Sequence, residues 1–269
     1  MSVGELLMSR ISYGSAVVHI PHASVLIPDE YKKDFLVSER VLRRELRRMT
    51  DAFCDELYDA PEFKTRIIAP VSRLVCDMER FRDDKDEPNA RKGQGLMYTR
   101  TSLGRKLREN DPALRAEILY NYYDVHHKQL EQAVENSLSE YGRCLIIDCH
   151  SFNSSQIVKF DNLFSMPDFD IGTDDFHTPK ILADSMFSTV RRLGFKARFN
   201  SPFGGCITPM KYYMKDRRVL SVMIETNRKL YMDEKTMQKN SSFGKIRAVC
   251  HELMHSAVRA ADEYFEAEL

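Results

Sequence analysis

Three short apolar runs constrain this chain more than any other feature. They are Ala16-Val17-Val18-His19-Ile20, Cys144-Leu145-Ile146-Ile147 and Val219-Leu220-Ser221-Val222-Met223-Ile224. All three are rich in β-branched and aliphatic residues and too short for buried helices, so they read as buried strands. Each is followed at once by groups that do chemistry: Pro21-His22, Asp148-Cys149-His150-Ser151 and Glu225-Thr226-Asn227-Arg228. A side chain at the carboxyl end of a buried strand points into the crevice where open α/β sheets bind ligands. Two histidines from distant strands can meet there and hold a metal. The third strand adds a carboxylate in the same kind of position.

Helical patterns alternate with these runs, which argues for an α/β fold in a single domain spanning residues 1–269. Ser38 is placed to cap a helix running to about Tyr58, with Val41, Leu42, Leu46, Met49, Phe53 and Leu57 on one face. Asp111-Pro112 opens a long helix that Gly142 closes, and Thr178-Pro179 opens another that Gly194 ends. A last helix is expected from about Phe243 to Phe265. The stretch from Arg82 to Gly95, charged and holding Pro88, Gly93 and Gly95, reads as a mobile loop.

Charge and cysteine usage narrow the function classes. Forty basic residues balance forty acidic ones. A nucleic-acid binder usually shows a basic excess, so no such partner is expected. No apolar run approaches the length of a membrane span, and Met1-Ser2-Val3-Gly4-Glu5 has no signal-peptide pattern. The six cysteines form no CxxC pair, and several sit in apolar runs where a free thiol behaves as a small hydrophobe. A reduced, cytoplasmic protein acting on a small molecule is the expectation.

Two further segments compete for the chemistry. His251-Glu252-Leu253-Met254-His255 is an HExxH on a helix, the spacing that lets two histidines share a zinc with the glutamate as base. It lacks a downstream third ligand off its own helix. The plainer reading is an amphipathic closing helix with Cys250, Leu253, Met254, Ala257, Val258 and Ala261 as its buried stripe. The other segment is Val71-Ser72-Arg73-Leu74-Val75-Cys76-Asp77-Met78-Glu79-Arg80. Asp77 could give an oxygen ligand, and Arg73 and Arg80 could grip carboxylates in bidentate fashion. A strand with surface ion pairs is the alternative. His19 and His22, three apart across a strand, point to opposite faces, so they do not share a metal, and His22, after Pro21 where the strand ends, is the better ligand.

Five pieces, in order, resemble the N-formylglutamate amidohydrolases. They are Pro21-His22-Ala23-Ser24 with Ile27-Pro28; Ser72 to Arg80; Asp148-Cys149-His150-Ser151; Asn200-Ser201-Pro202-Phe203-Gly204-Gly205; and Ile224-Glu225-Thr226-Asn227-Arg228 through Glu234. Gly95-Leu96-Met97-Tyr98-Thr99 also looks like a family loop, and Val125-His126-His127 resembles a family helix segment that would bring His127 to the site. The chain departs where the family has Asp-Leu-Asn-Arg, here Asp77-Met78-Glu79-Arg80, and at Gly172-Thr173-Asp174-Asp175-Phe176-His177-Thr178. The resemblance implies a mixed, mostly parallel sheet flanked by helices, similar to the zinc carboxypeptidases. It implies Zn2+, or another divalent transition metal, on His22 and His150, with Asp77 as the third ligand. Glu225 is then the proton carrier, and Arg73, Arg80, Arg228 and His127 line the substrate. The implied reaction is hydrolysis of N-formyl-L-glutamate to formate and glutamate, a step of histidine breakdown. The alternatives are another N-acyl amino acid, or a metallopeptidase using His251 and His255.

Overall fold

The computed structural model describes residues 13–154 and 166–267. Its centre is a six-stranded sheet built from β1 (Ala16–Ile20), β2 (Thr65–Ile68), β3 (Cys144–Phe152), β4 (Phe169–Gly172), β5 (Ala197–Phe199) and β6 (Val219–Asn227). The spatial order is β2-β1-β3-β6-β4-β5. All neighbours run parallel except β4 against β6. This is the mixed, mostly parallel sheet expected. Parallel strands covered on both faces begin as near-continuous apolar runs, and every residue of β1, β3 and β6 is buried.

Helices α1 (Glu39–Met49), α2 (Pro112–Ile118), α3 (Asp124–Tyr141), α4 (Lys180–Arg192) and α5 (Phe243–Ala267) surround the sheet. Period-two alternation sorts the strand residues between its faces. Val18, Ile20, Leu145, Ile147, Cys149, Leu220, Val222 and Ile224 pack with Leu182, Met186 and Val190 of α4 and Leu253, Met254 and Ala257 of α5. Val17, Cys144, Ile146 and Val219 pack with Leu130, Ala133 and Val134 of α3. A third cluster, including Tyr31, Leu74, Cys76, Met78, Leu96 and Tyr98, sits under Leu42, Leu46 and Met49 of α1.

Local signals work where they are self-contained. The Asp111 side chain accepts from the N–H groups of Ala113 and Leu114, and Gly142 ends α3 at φ 70°. The six cysteines are free thiols. No helix among the described residues is long and apolar enough to cross a membrane. Three expectations need revision. β3 and β6 run past their apolar stretches to Phe152 and Asn227, so His150 and Glu225 lie inside strands, paired in register. The loop after Arg82 contains a helical turn, Pro88–Lys92. The first helix stops at Met49: Thr50 is extended, Phe53 is left-handed at φ 66°, and only Cys54–Leu57 resumes a turn. Asp51 lies in that break, its N–H donating to the His22 carbonyl at 2.9 Å. Buried tertiary bonds at Asp51 outweigh the weak helical preference of Thr50 and Asp51.

Candidate active site

The sheet face that carries Val17, Ile146 and Val219 toward α3 changes character along the strands. The same parity continues into His19 on β1, Asp148 and His150 on β3, and Glu225 on β6. An apolar core thus becomes a buried polar cluster at the strands' carboxyl ends, where α/β sheets bind ligands. A cavity of about 1060 Å³ opens there, lined among others by His22, Asp51, Glu79, Asp148, His150 and Glu225.

The two histidines predicted as ligands meet. His22 Nδ1 and His150 Nδ1 stand 3.3 Å apart. Asp51 Oδ2 lies 3.3 Å from His150 Nδ1 and 3.7 Å from His22 Nδ1. The opposite ring nitrogens are already used. His22 Nε2 is 2.9 Å from Asp77 Oδ1, and His150 Nε2 is 3.0 Å from Asp148 Oδ1. Carboxylates accept and do not donate, so each Nε2 carries a hydrogen, and a proton on an Nδ1 is shared with Asp51; burial opposes a charged His150, but Glu79, Asp148 and Asp51 raise its proton affinity well above the usual range. Two imidazole Nδ1 atoms and a carboxylate oxygen therefore converge on one point. Such a point calls for a cation, either a proton or a metal. Zinc bonds of 2.0–2.1 Å in tetrahedral geometry place ligand atoms about 3.3 Å apart, close to the three distances found.

Asp77 occupies a different place from the one expected. Its Oδ2 accepts from Arg73 Nη2 at 2.8 Å, Arg73 Nε at 3.1 Å and the Tyr98 hydroxyl at 2.7 Å. Its Oδ1 takes His22 Nε2 and the Glu79 N–H. It meets His22 from the side away from His150 and fixes that ring's tautomer and direction, as outer carboxylates do for metal-bound histidines. Burial would raise the Asp77 carboxyl, but Arg73, Arg80 and His22 hold it well below the usual carboxylate range. Asp51 is balanced in the same way: burial raises it, while hydrogen bonds from His150 and His22 and the Arg228 charge bring it well below normal.

Glu79 comes near from the cavity side. Its Oε2 is 3.2 Å from His150 Nε2 and 3.8 Å from His22 Nδ1. Among the described residues, His22, Glu79 and His150 offer ligand atoms within 4.8 Å of one another, and so do His19, Glu79 and Asp148. The second group is better described as a hydrogen-bonded chain. Asp148 Oδ1 accepts from His19 Nδ1 at 2.8 Å as well as from His150. His19 Nε2 then accepts from His126 Nε2 at 2.9 Å. Burial pushes His126 down to about 2, so it stays neutral in that chain.

Glu225 is buried, and its Oε2 has no partner among the described residues. Burial raises its carboxyl well above the usual range, with Asp51 and Asp170 adding to the effect and His150 and Arg228 opposing it. Asp170, paired in register with it across β4 and β6, is pushed up to about 6 by burial, against the N–H groups of Phe203 and Ser201.

The expected substrate-binding residues Arg73, Arg80, Arg228 and His127 all line the cavity, and each already has partners within the protein. Arg73 is committed to Asp77. Arg80 lines the cavity but donates to the Gln94 and Glu79 carbonyls and the Tyr98 hydroxyl. Arg228 is buried and donates to Ser151 Oγ, the Ser151 and Arg48 carbonyls, and Asp51 Oδ1 at 2.8 Å. His127 lines the cavity, with Nε2 donating to the Met78 carbonyl at 2.9 Å and burial lowering its affinity for a proton.

The HExxH histidines are remote from this cluster. His255 stacks on Phe63 and lies 3.7 Å from Glu62, while Glu252 pairs with Arg192 and Arg259 on the surface. Of the acids on the same helix, Asp262 pairs with Arg143.

Comparison with known proteins places the chain. Residues 14–232 match the family model described as N-formylglutamate amidohydrolase. An N-formylglutamate deformylase of Pseudomonas aeruginosa is 28% identical over 228 residues, covering 80% of this chain and 84% of that protein. The crystal structure of an N-formylglutamate amidohydrolase from Ralstonia eutropha superposes with a TM-score of 0.80 at 21% identity, over 95% of each chain. A gene product of Agrobacterium tumefaciens superposes at 0.67 and 20% identity, over 94% of this chain and 92% of its own. These structural likenesses bear on the fold, and the match over most of the sequence bears on descent: the chain belongs to the N-formylglutamate amidohydrolase family.

Proposed function

We propose that this chain is a metal-dependent amidohydrolase that cleaves N-formyl-L-glutamate to formate and L-glutamate. Family membership supports the substrate. One observation carries the metal: His22 Nδ1, His150 Nδ1 and the Asp51 carboxylate converge within 3.3 to 3.7 Å. Those three groups would hold the ion, with Asp51 in the role expected of Asp77. Two imidazoles and one carboxylate suit Zn2+ and leave a position open, and other divalent transition metals accept the same donors. A bound ion would polarise the formyl carbonyl and lower the pKa of water from 15.7 toward roughly 7.

The remaining work falls to the chain's own side chains. Glu225 Oε2, desolvated and unpartnered, takes a proton from the attacking water. The water oxygen bonds to the formyl carbon, the C–N bond breaks, and Glu225 returns the proton to the amine nitrogen. An elevated carboxyl affinity for protons is what a group needs to do both steps near neutral pH. Asp77 and Asp148 hold the two imidazoles by Nε2, so that neither ring turns its N–H toward the site.

The test is metal analysis of the purified protein together with formate release from a panel of N-formyl and longer N-acyl amino acids. The reading expects about one divalent metal per chain and turnover of N-formyl-L-glutamate that a chelator abolishes and metal restores. Turnover that survives complete metal removal would refute the metal role. A preference for a longer acyl group would move the substrate within the same chemistry.

A further inference from the structure

We propose that Arg48 grips the side-chain carboxylate of the substrate and so makes the site selective for acidic N-acyl amino acids; this rests on the amidohydrolase reading above. N-formyl-L-glutamate brings two carboxylates into the cavity. The guanidinium groups that the sequence marks out are largely spent within the protein: Arg73 on Asp77, and Arg228 on Asp51, Ser151 and the Arg48 carbonyl. Arg82 makes a two-pronged pair with Asp124. Lys92 and Lys128 stand exposed at the rim.

Arg48 differs from all of these. Its side chain is half-buried, lines the cavity, and has no hydrogen-bond or ion-pair partner among the described residues. A partly desolvated guanidinium gains most from a bidentate carboxylate. No acid of the protein fills that role, which leaves it to the ligand. Arg48 is also well anchored beside the proposed metal group. Its carbonyl accepts from Arg228 Nη1 at 2.9 Å, and Arg228 Nη2 reaches Asp51 at 2.8 Å.

A second observation points the same way. Arg48 lines a neighbouring groove of about 800 Å³ as well. That groove carries Arg44, Arg47, Lys229 and Lys235 against Asp233 and Glu234. Glu234 is taken up by the Ser154 N–H and hydroxyl. The groove behind Arg48 thus carries four further cationic side chains against two acids, and the excess positive charge on that flank favours an anionic ligand at Arg48.

The experiment compares Arg48→Met and Arg48→Lys with wild type on the N-formyl derivatives of L-glutamate, L-glutamine and L-norleucine, with metal content measured in each protein. For Arg48→Met, the ratio of kcat/KM for glutamate over glutamine should fall about ten- to hundredfold, the size expected for a lost hydrogen bond to a charged group. The fall should lie in KM, with kcat changed less than about threefold. Arg48→Lys should recover part of the ratio, because it keeps the charge without the fork. An unchanged ratio, or an equal loss on all three substrates, would overturn the assignment. If wild type releases formate from none of the three, the amidohydrolase reading itself fails, a result distinct from wild-type turnover with an insensitive Arg48.

Discussion

The ligand assignment can be decided by three single-atom exchanges: Asp51→Asn, Asp77→Asn and Glu79→Gln. Binding of zinc at a site of four protein ligands is worth about 10–16 kcal/mol. One ligand's share is then about 3 to 4 kcal/mol, or two to three decades in affinity at about 1.4 kcal/mol per decade. Asp51 Oδ2 stands at ligand spacing from both Nδ1 atoms, so Asp51→Asn should weaken metal binding by roughly 10² to 10³. Asp77 touches only the far nitrogen of His22, and loss of such an orienting acid costs about 10- to 100-fold. Glu79 is 18% exposed and bonds the nitrogen of His150 that already faces Asp148. Glu79→Gln should change the affinity less than about threefold on this account. Competition against a chromogenic chelator measures all three. Thermal melts of the metal-free proteins control for folding, since Asp51→Asn also leaves the buried Arg228 with a neutral acceptor in place of a charge, at about 1–3 kcal/mol. If Glu79→Gln loses more metal than Asp51→Asn, the ligand is Glu79 and the geometric argument is wrong.

Glu225→Gln should keep its metal and its KM while kcat falls by about 10² or more, measured by formate release; loss of metal would make Glu225 a ligand. His251→Ala with His255→Ala should lower Tm modestly, from the lost contacts on Phe63 and Tyr13, and leave metal content at the wild-type level by elemental analysis. Asp170 gives a pH signature: its carboxyl titrates near 6 when folded against a usual 3.8. Between those values the native state holds a proton that the unfolded chain has lost, so stability falls as pH rises across that window, by up to about 3 kcal/mol. Urea titrations at pH 4 and pH 7 should show Asp170→Asn lacking this part of the wild-type pH dependence.

Much of the frame was readable from the chain. The three apolar runs became β1, β3 and β6, and the short signals at Asp111, Pro112 and Gly142 mark helix ends where expected. Parity along β1, β3 and β6 already puts His19, Asp148, His150 and Glu225 on one face, so Asp148 could have been read from its place two residues before His150. Asp51 was hidden because Leu46, Met49, Phe53 and Leu57 keep a helical period straight through it. Only the adjacent Thr50-Asp51, two weak helix formers, hinted at a break, and the break exists because of partners on other elements. Sequence shows that the acid Asp77 is near, not which nitrogen of His22 it meets, so the choice between Asp77 and Asp51 as ligand was not legible there. The arginines Arg73, Arg80 and Arg228 do line the cavity, but sequence does not show the partners they already have. A guanidinium beside a site is as useful for fixing the site's carboxylates as for receiving a substrate, and only the hydrogen-bond count separates the two.

That count also explains why so much charge is buried here. Asp51, Asp77, Asp148, Glu225, His22 and His150 are all nearly inaccessible, an arrangement that costs stability unless every charge is met. Asp77 is met by Arg73 and Tyr98, Asp51 by Arg228, and Asp148 by two imidazoles. Around the cavity, what awaits a complement is the space between the two facing Nδ1 atoms, the second oxygen of Glu225 and the guanidinium of Arg48; away from it, the buried Arg108 guanidinium lies over the Phe35 ring without a hydrogen-bond partner among the described residues. Core apolar packing below the cluster, from Val17 and Ile146 to Leu130 and Val134, supplies the rigidity to hold these groups against their mutual repulsion. A cation between the imidazoles, a water proton at Glu225 and a carboxylate at Arg48 are the complements those gaps require. An N-acylated acidic amino acid, with a water and a divalent metal held by His22, His150 and Asp51, would provide all three, whereas a peptide bond in a chain lacking acidic side chains would leave Arg48 unanswered.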